Sequence, residues 1–457
     1  MKKSTRSLIS SLIIMSFLML ATMSCKKNDS TDTPTGKNVY TIAVISDLHY
    51  MDPSLRSDTS SAFIEFEKYD QRLPLESDVI MKEVIQELIN AKPKPDLVLV
   101  PGDLSFDGEK ISHESVAGFL KELTTAGIKV RVTDGNHDIN FRYACNYLSV
   151  DTVSVPNIDS TGFKTIYANF GFSDALYRDP VSLSYVSEPL PGLWLLAIDA
   201  CIYDKTLLYT QTEGGSIREE TMTWALARLA EAKAKGKTVF GMMHHALLNH
   251  YTDQNILFPN NVIDNASTAS DQLMNAGLKV MFTGHGHSSD IVEKTSGSKF
   301  LYDIETSSTI AYPCTYRMIT YVQDSALFIS TIPITHIEFP LPVPLPSGQS
   351  FQEYAKQRIL NTLDLDNAYN YYIPPYSYPI GVAEKLAPRM RNALMAQMAG
   401  DEEIFSGSEL DSIESTINTL GATYLPIRTN WYSLWNDLSP ADNALVIFLK
   451  SGNSMKK

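Results

Sequence analysis

Five times along this chain a short apolar run stops at a cluster of histidine, acid or amide residues. Tyr40-Thr41-Ile42-Ala43-Val44-Ile45 leads into Ser46-Asp47-Leu48-His49, and residues 96–100 lead into Pro101-Gly102-Asp103. Residues 128–132 lead into Asp134-Gly135-Asn136-His137-Asp138, residues 238–243 into His244-His245, and residues 278–283 into Gly284-His285-Gly286-His287. The β-branched content of these runs suits buried strands. Between them, residues 76–91, 112–126 and 218–235 carry apolar side chains at helical spacing, with Pro93, Pro95 and Gly127 as stops. Strands alternating with helices predict an α/β fold, in which ligands bind in the crevice outside the carboxyl ends of the strands. Six of the nine histidines fall in these strand-end motifs, so the chemistry is concentrated there.

The residue types say which chemistry. Asp47 and His49 stand two apart, as do His285 and His287, and in an extended strand a period of two directs both members of a pair to one side. Each pair could clasp one metal ion. Carboxylate, amide and imidazole ligands without thiolate favour manganese, iron or zinc over copper(I). Asp47, His49, Asp103, Asn136, one of His244 and His245, His285 and His287 make seven candidates, more than one ion needs. Two ions about 3.5–4 Å apart can share a carboxylate and a hydroxide, polarise a phosphoryl oxygen and stabilise both attacking and leaving oxygens. Hydrolysis of a phosphate ester is the expected reaction.

The ordered blocks Asp47-Leu48-His49, Gly102-Asp103, Gly135-Asn136-His137-Asp138, His244-His245 and Gly284-His285-Gly286-His287 resemble the calcineurin-like metallophosphoesterase family over about residues 40–335. The resemblance implies a four-layer α/β sandwich, two β-sheets face to face with helices outside. It implies that Asp47, His49 and His287 hold a first metal, that Asn136, His244 and His285 hold a second, and that Asp103 bridges them. It selects His244 over His245 and gives His137 the task of stabilising the phosphoryl transition state or protonating the leaving group. Asp134 is expected to be a solvated turn residue, and Asp107 and Asp138 to stabilise loops near the ligands. The stretch from Gly102 to Glu114, with Ser289-Asp290-Ile291 and Tyr302-Asp303-Ile304, is similar to exported bacterial phosphodiesterases related to class III cyclic nucleotide phosphodiesterases. Small diesters such as 3′,5′-cyclic nucleotides are then the expected substrates. A phosphomonoesterase, a sphingomyelinase-like hydrolase of lipid phosphoesters, and a surface binding protein that has lost catalysis are the other readings. His113, inside a predicted helix, is expected to be structural.

Charge narrows the partners. The formal net charge of −14 offers no basic field for a long nucleic acid, whose binding rests on Lys and Arg neutralising phosphates. A small phosphorylated substrate remains, with the positive charge supplied by bound ions. At the N-terminus Lys2, Lys3 and Arg6 precede an apolar run from Leu8 to Ala21, which ends in Thr22-Met23-Ser24-Cys25. This resembles a lipoprotein signal over residues 1–25 with Cys25 lipidated, followed by a polar tether over 26–38, and plain secretion is the other reading. Either way the chain is expected to be exported. Cys145, Cys201 and Cys314 have no paired spacing and can form at most one disulfide.

Beyond a main domain over 39–338, whose last part (301–335) alternates as β, the proline-rich run Phe339 to Pro346 marks a boundary. Helical spacing over 352–363, 382–398 with a kink at Pro388, 408–420 and 440–450 predicts a small C-terminal helical domain over 339–457. The Tyr- and Pro-dense stretch 367–378 is expected to be a loop packed on the main domain.

Overall fold

Strand β1 (Val39–Val44) is buried from Thr41 onward because it has a strand on either side. It runs parallel to β2 (Leu97–Pro101), which runs parallel to β3 (Lys129–Thr133), and antiparallel to β13 (Thr315–Val322). These belong to a seven-stranded sheet in the order β16-β15-β14-β13-β1-β2-β3, with β14 at Ala326–Pro333, β15 at Ala444–Phe448 and β16 at Ser454–Lys456. A second seven-stranded sheet has the order β11-β12-β10-β9-β8-β7-β6. Its strands are β6 (Tyr177–Arg178), β7 (Tyr185–Leu190), β8 (Leu193–Ile198), β9 (Thr238–Met243), β10 (Val280–Thr283), β11 (Ile291–Ser296) and β12 (Lys299–Glu305). The short strands β4 (Cys145–Asn146) and β5 (Val153–Ser154) pair apart from both. The computed structural model describes residues 37–204, 212–362, 380–400, 402, 408–421 and 425–457.

The layering follows from which face each side chain takes. On β8, Leu193, Leu195 and Ala197 join a core shared with Ile42 and Val44 of β1 and Leu97 and Leu99 of β2, so they fill the space between the sheets. Trp194, Leu196 and Ile198 point the other way and pack with Ala225 and Leu229 of the helix Glu219–Ala234 and Leu273 of the helix Ala266–Ala276. The helices Ser77–Asn90 and Lys110–Thr125 bring Val84, Leu88, Val116 and Leu120 against the first sheet. This is the expected sandwich, two mixed sheets between helical layers.

The C-terminal region holds the helices Phe351–Thr362, Ile380–Ala399, Ser408–Leu420 and Leu425–Leu434, the second continuous through Pro388. Leu386, Met390, Ala393, Ile417, Trp431 and Leu434 form its own apolar cluster, which also takes in Tyr251. One expectation fails here. Residues 440–450 are not a helix: Ala444–Phe448 is β15, antiparallel to β14 and β16. A five-residue apolar run satisfies either periodicity, and the free edge of β14 decides in favour of a strand. Val39–Lys457 forms one compact unit. The leader, nearly all of the tether and the 367–378 loop lie outside the described residues, and no helix among the described residues is long and apolar enough to cross a membrane. Cys145, Cys201 and Cys314 are free thiols.

Ile447 is fully buried and paired opposite Leu327. Ile447→Ala should destabilise the fold by about 2–5 kcal/mol, read from the denaturant midpoint, whereas the same truncation in a surface helix would cost far less.

Candidate metal centre

The five motifs meet at one end of the sandwich, and the backbone there is unusual. Asp47, His49, Asp103, His285 and His287 all have positive φ, at 48°, 36°, 48°, 72° and 56°. For residues with a Cβ this region is disfavoured, and its clustering at one place is a mark of function. It corrects the expectation that a pleated period of two aims each pair. The chain has left the extended conformation by Asp47, and a left-handed turn at each residue swings the side chains inward. His49 N donates to Asp103 O and Tyr50 N to Leu104 O, so the first and second motifs brace one another.

Donor atoms gather at two points. At the first, His49 Nε2 lies 3.1 Å from His287 Nε2 and 3.4 Å from Asp103 Oδ2, and Asp47 Oδ1 lies 3.4 Å from His287 Nε2. At the second, His244 Nε2 lies 3.3 Å from Asp103 Oδ2, 3.0 Å from Asn136 Oδ1 and 3.1 Å from His285 Nδ1. With ligand bonds of about 2.1 Å, two donors on one ion stand about 3.0 Å apart at right angles and about 3.4 Å apart at tetrahedral angles. The spacing is that of two coordination shells sharing Asp103 Oδ2.

Hydrogen bonds aim the rings. His244 Nδ1 donates to Pro101 O (2.8 Å), leaving Nε2 as the inward lone pair, and His285 Nε2 donates to Asn260 O (3.1 Å), leaving Nδ1 inward. Asn136 turns Oδ1 inward, while its buried Nδ2 has no hydrogen-bond partner among the described residues. His245 faces away, its Nε2 donating to Glu213 O (2.8 Å), and burial with the charge of His244 pulls its pKa down to about 3. Of the adjacent pair, then, His244 enters the cluster. Burial alone would raise Asp103, yet the surrounding imidazoles His244, His137 and His49 hold it well below the usual carboxylate range. Burial would likewise lower His244, and the Asp103 carboxylate overrides it, lifting His244 to about 10. The pair describes a site that calls for positive charge.

His137 stands beside the cluster, its ring 4.8 Å from that of His49, and its Nδ1 donates to Asp107 Oδ1 at 2.8 Å. Burial opposes protonation, but Asp103 and Asp107 outweigh it and raise His137 above the ordinary histidine range. The Asp107 carboxylate thus holds the His137 ring, while its backbone N donates to Glu109 Oε2. Asp138 accepts from Leu104 N, Ser105 N and Gly135 N and ties the second motif to the third. His113 is fully buried between Tyr167 Oη and Asp138 O, a structural role as expected. Asp134 is not solvated. It is 1% exposed, and burial, with the charge of Asp199 beside it, raises it well above the carboxylate range. No spacing in the sequence marks Asp199.

Sequence reasoning also missed the support beneath the last motif. Glu305 Oε1 accepts from Ser288 N (3.1 Å), and a Cβ on Gly286 would lie 2.3 Å from that oxygen. His250 stands among Asp290 (2.9 Å), Asp303 (3.5 Å) and Glu305 (3.6 Å), and these carboxylates raise it well above the ordinary value despite burial. The Asp290 and Asp303 of the narrower resemblance are therefore a buried platform for the His285–His287 loop. Arg72, from the segment after the first motif, pairs with Asp70 at 2.7 Å, stacks 3.8 Å over Phe106 and places Nη1 3.0 Å from His49 Nδ1.

The sequence profile described as calcineurin-like phosphoesterase matches residues 40–289, more than half of the chain. The chain belongs to the calcineurin-like phosphoesterase family. No curated protein matches it. Solved structures it is similar to include a dimetal phosphatase from Danio rerio, at 14% identity and a TM-score of 0.44, covering 64% of this chain and 96% of that one. Another is a purple acid phosphatase from yellow lupin (Lupinus luteus) seeds, at 14% identity and a TM-score of 0.42, covering 66% of this chain and 52% of that one. As a calcineurin-like phosphoesterase the protein is a hydrolase of phosphoester bonds that works with two divalent metal ions, and the two donor clusters fit them.

A Cβ on Gly135 would lie 2.1 Å from Asp103 Oδ1 and 2.2 Å from Asp103 N. Gly135→Ala should therefore displace Asp103, dropping the bound metal below two ions per chain by elemental analysis and lowering kcat at least about a hundredfold.

Proposed function

We propose that this phosphoesterase hydrolyses small phosphodiesters, 3′,5′-cyclic nucleotides among them. The supporting observation is the charge of the cleft over the metal centre. Of the described residues lining it, Arg72 is the only Lys or Arg, and Asp70 takes it in a two-pronged pair through Nε and Nη2. Glu213 adds a carboxylate to the wall. A diester is a monoanion, and the charge that the two ions would supply leaves it in need of no further cation. A monoester brings a second charge for which the wall holds, besides the His137 imidazole, only that paired guanidinium.

In this reading Asp47, His49 and His287 would hold one ion and Asn136, His244 and His285 the other, with the Asp103 carboxylate available to both sets. When bound, such a pair activates water and stabilises charge on phosphoryl oxygens. The chain's own contribution to the bond broken is His137. With Nδ1 held by Asp107, its Nε2 carries the proton toward the cleft, where it is given to the departing ester oxygen. Asp138, Glu305 and the backbone of Pro101 and Asn260 keep the ligands in place.

The test is a panel of nitrophenyl mono- and diesters with added manganese. The diesters should turn over with the higher kcat/KM, and His137→Ala should lower kcat by about 10²–10⁴-fold with metal content unchanged. Equal rates for the His137→Ala variant and the wild type would remove His137 from the reaction, and faster monoester turnover would favour a phosphomonoesterase. Chelation should abolish activity and manganese restore it.

The N-terminal sequence supports a further proposal, that the enzyme is exported and anchored through a lipid on Cys25. Cys25→Ser should move the protein from the membrane to the soluble fraction on fractionation of expressing cells, and unchanged membrane association would count against the anchor.

A further inference from the structure

The cleft above the metal centre has a volume of about 450 Å³, within the range of small-ligand pockets. One wall is polar, with Asp70, Gln71 and Arg72. The other is built from Leu257, Phe258 and Pro259 together with Leu394 and Met398 of the helix Ile380–Ala399. The last two lie outside residues 40–289, the segment that matches the family.

This helix is fixed to the centre. Ser289 N donates to Met398 O (3.0 Å), Ser288 Oγ donates to Gln397 Oε1 (3.0 Å), and Gln397 Nε2 donates to Asp290 Oδ2 (3.2 Å). Gly400 comes so close to the same loop that a Cβ there would lie 2.1 Å from Ser289 O. Leu394 and Met398 therefore stand at a set height above His285 and His287. Leu257, Phe258 and Leu394 are only partly buried, because they pack on the C-terminal cluster from one side and face the cleft from the other. An apolar shelf without a cation cannot take a second phosphate. It suits an uncharged group with a flat apolar face.

We infer that this shelf binds the organic group that stays on phosphorus, and that it selects diesters whose retained ester is a ring of nucleobase or aryl size. The inference rests on the diesterase reading. His137 and Asp107 mark the side on which the leaving group departs, and the shelf lies on the side of the His285–His287 loop, so the two ester groups of a bound diester are read by different parts of the chain. The C-terminal helices then act as the specificity element of the centre.

The experiment compares bis(p-nitrophenyl) phosphate with methyl p-nitrophenyl phosphate, which share a leaving group and differ only in the retained ester. The manganese-loaded full chain should prefer the aryl ester by about tenfold or more in kcat/KM. Leu394→Ser and Phe258→Ala should each lose most of that preference, through a rise in KM on the aryl ester that exceeds any change on the methyl ester. Leu394→Trp, which narrows the cleft without removing apolar surface, should slow the aryl ester alone. Equal kcat/KM for the two esters in the wild type, or an unaltered preference in all three variants, would overturn the shelf while leaving the diesterase reading intact. No turnover of either ester by the wild type would overturn the diesterase reading itself, and the shelf with it.

Discussion

One carboxylate oxygen, Asp103 Oδ2, faces His49 Nε2 at 3.4 Å and His244 Nε2 at 3.3 Å, and the two halves of the centre meet on it. Everything around it serves to keep that oxygen where it is. Gly102 and Gly135 leave room that a side chain would fill, His137 N donates to Oδ1, and the turns on either side are cross-braced by Asp138. The sandwich has the same logic on a larger scale. β1, β2 and β3 are neighbours in one sheet and β9 and β10 in the other, so five strand ends open toward a common space.

Much of this was legible from residue types alone. The apolar runs named the strands, and the polar stops named the side chains that gather in the donor clusters, because a histidine or aspartate at the end of a buried strand has few other reasons to recur five times. The way the ligands are aimed was not legible. Positive φ at Asp47 or His285 leaves no trace in a sequence that has no glycine at those positions, and the period-two argument brought these side chains together by the wrong geometry.

Two further failures have a common cause. The run around Val446 looks the same whether it will be a helix or a strand, and only the waiting edge of β14, more than a hundred residues earlier, settles it. Asp134 looks like any acid in a turn until Asp199, 65 residues further on, is folded against it. Local pattern carries the elements, while long-range contact decides the ambiguous ones. The buried set of His250, Asp290, Asp303 and Glu305 was invisible for the same reason, since its members come from three separate segments and share no spacing.

The left-handed backbone at five ligand positions also ties the enzyme's persistence to its surroundings. Each such residue costs the apoprotein of order 1–3 kcal/mol, a considerable fraction of the about 5–15 kcal/mol by which folded domains exceed their unfolded states. Cations that bind only the folded chain add stability in proportion to the logarithm of their free concentration. Scarcity of metal would therefore silence the centre and at the same time lower the stability of the fold that carries it.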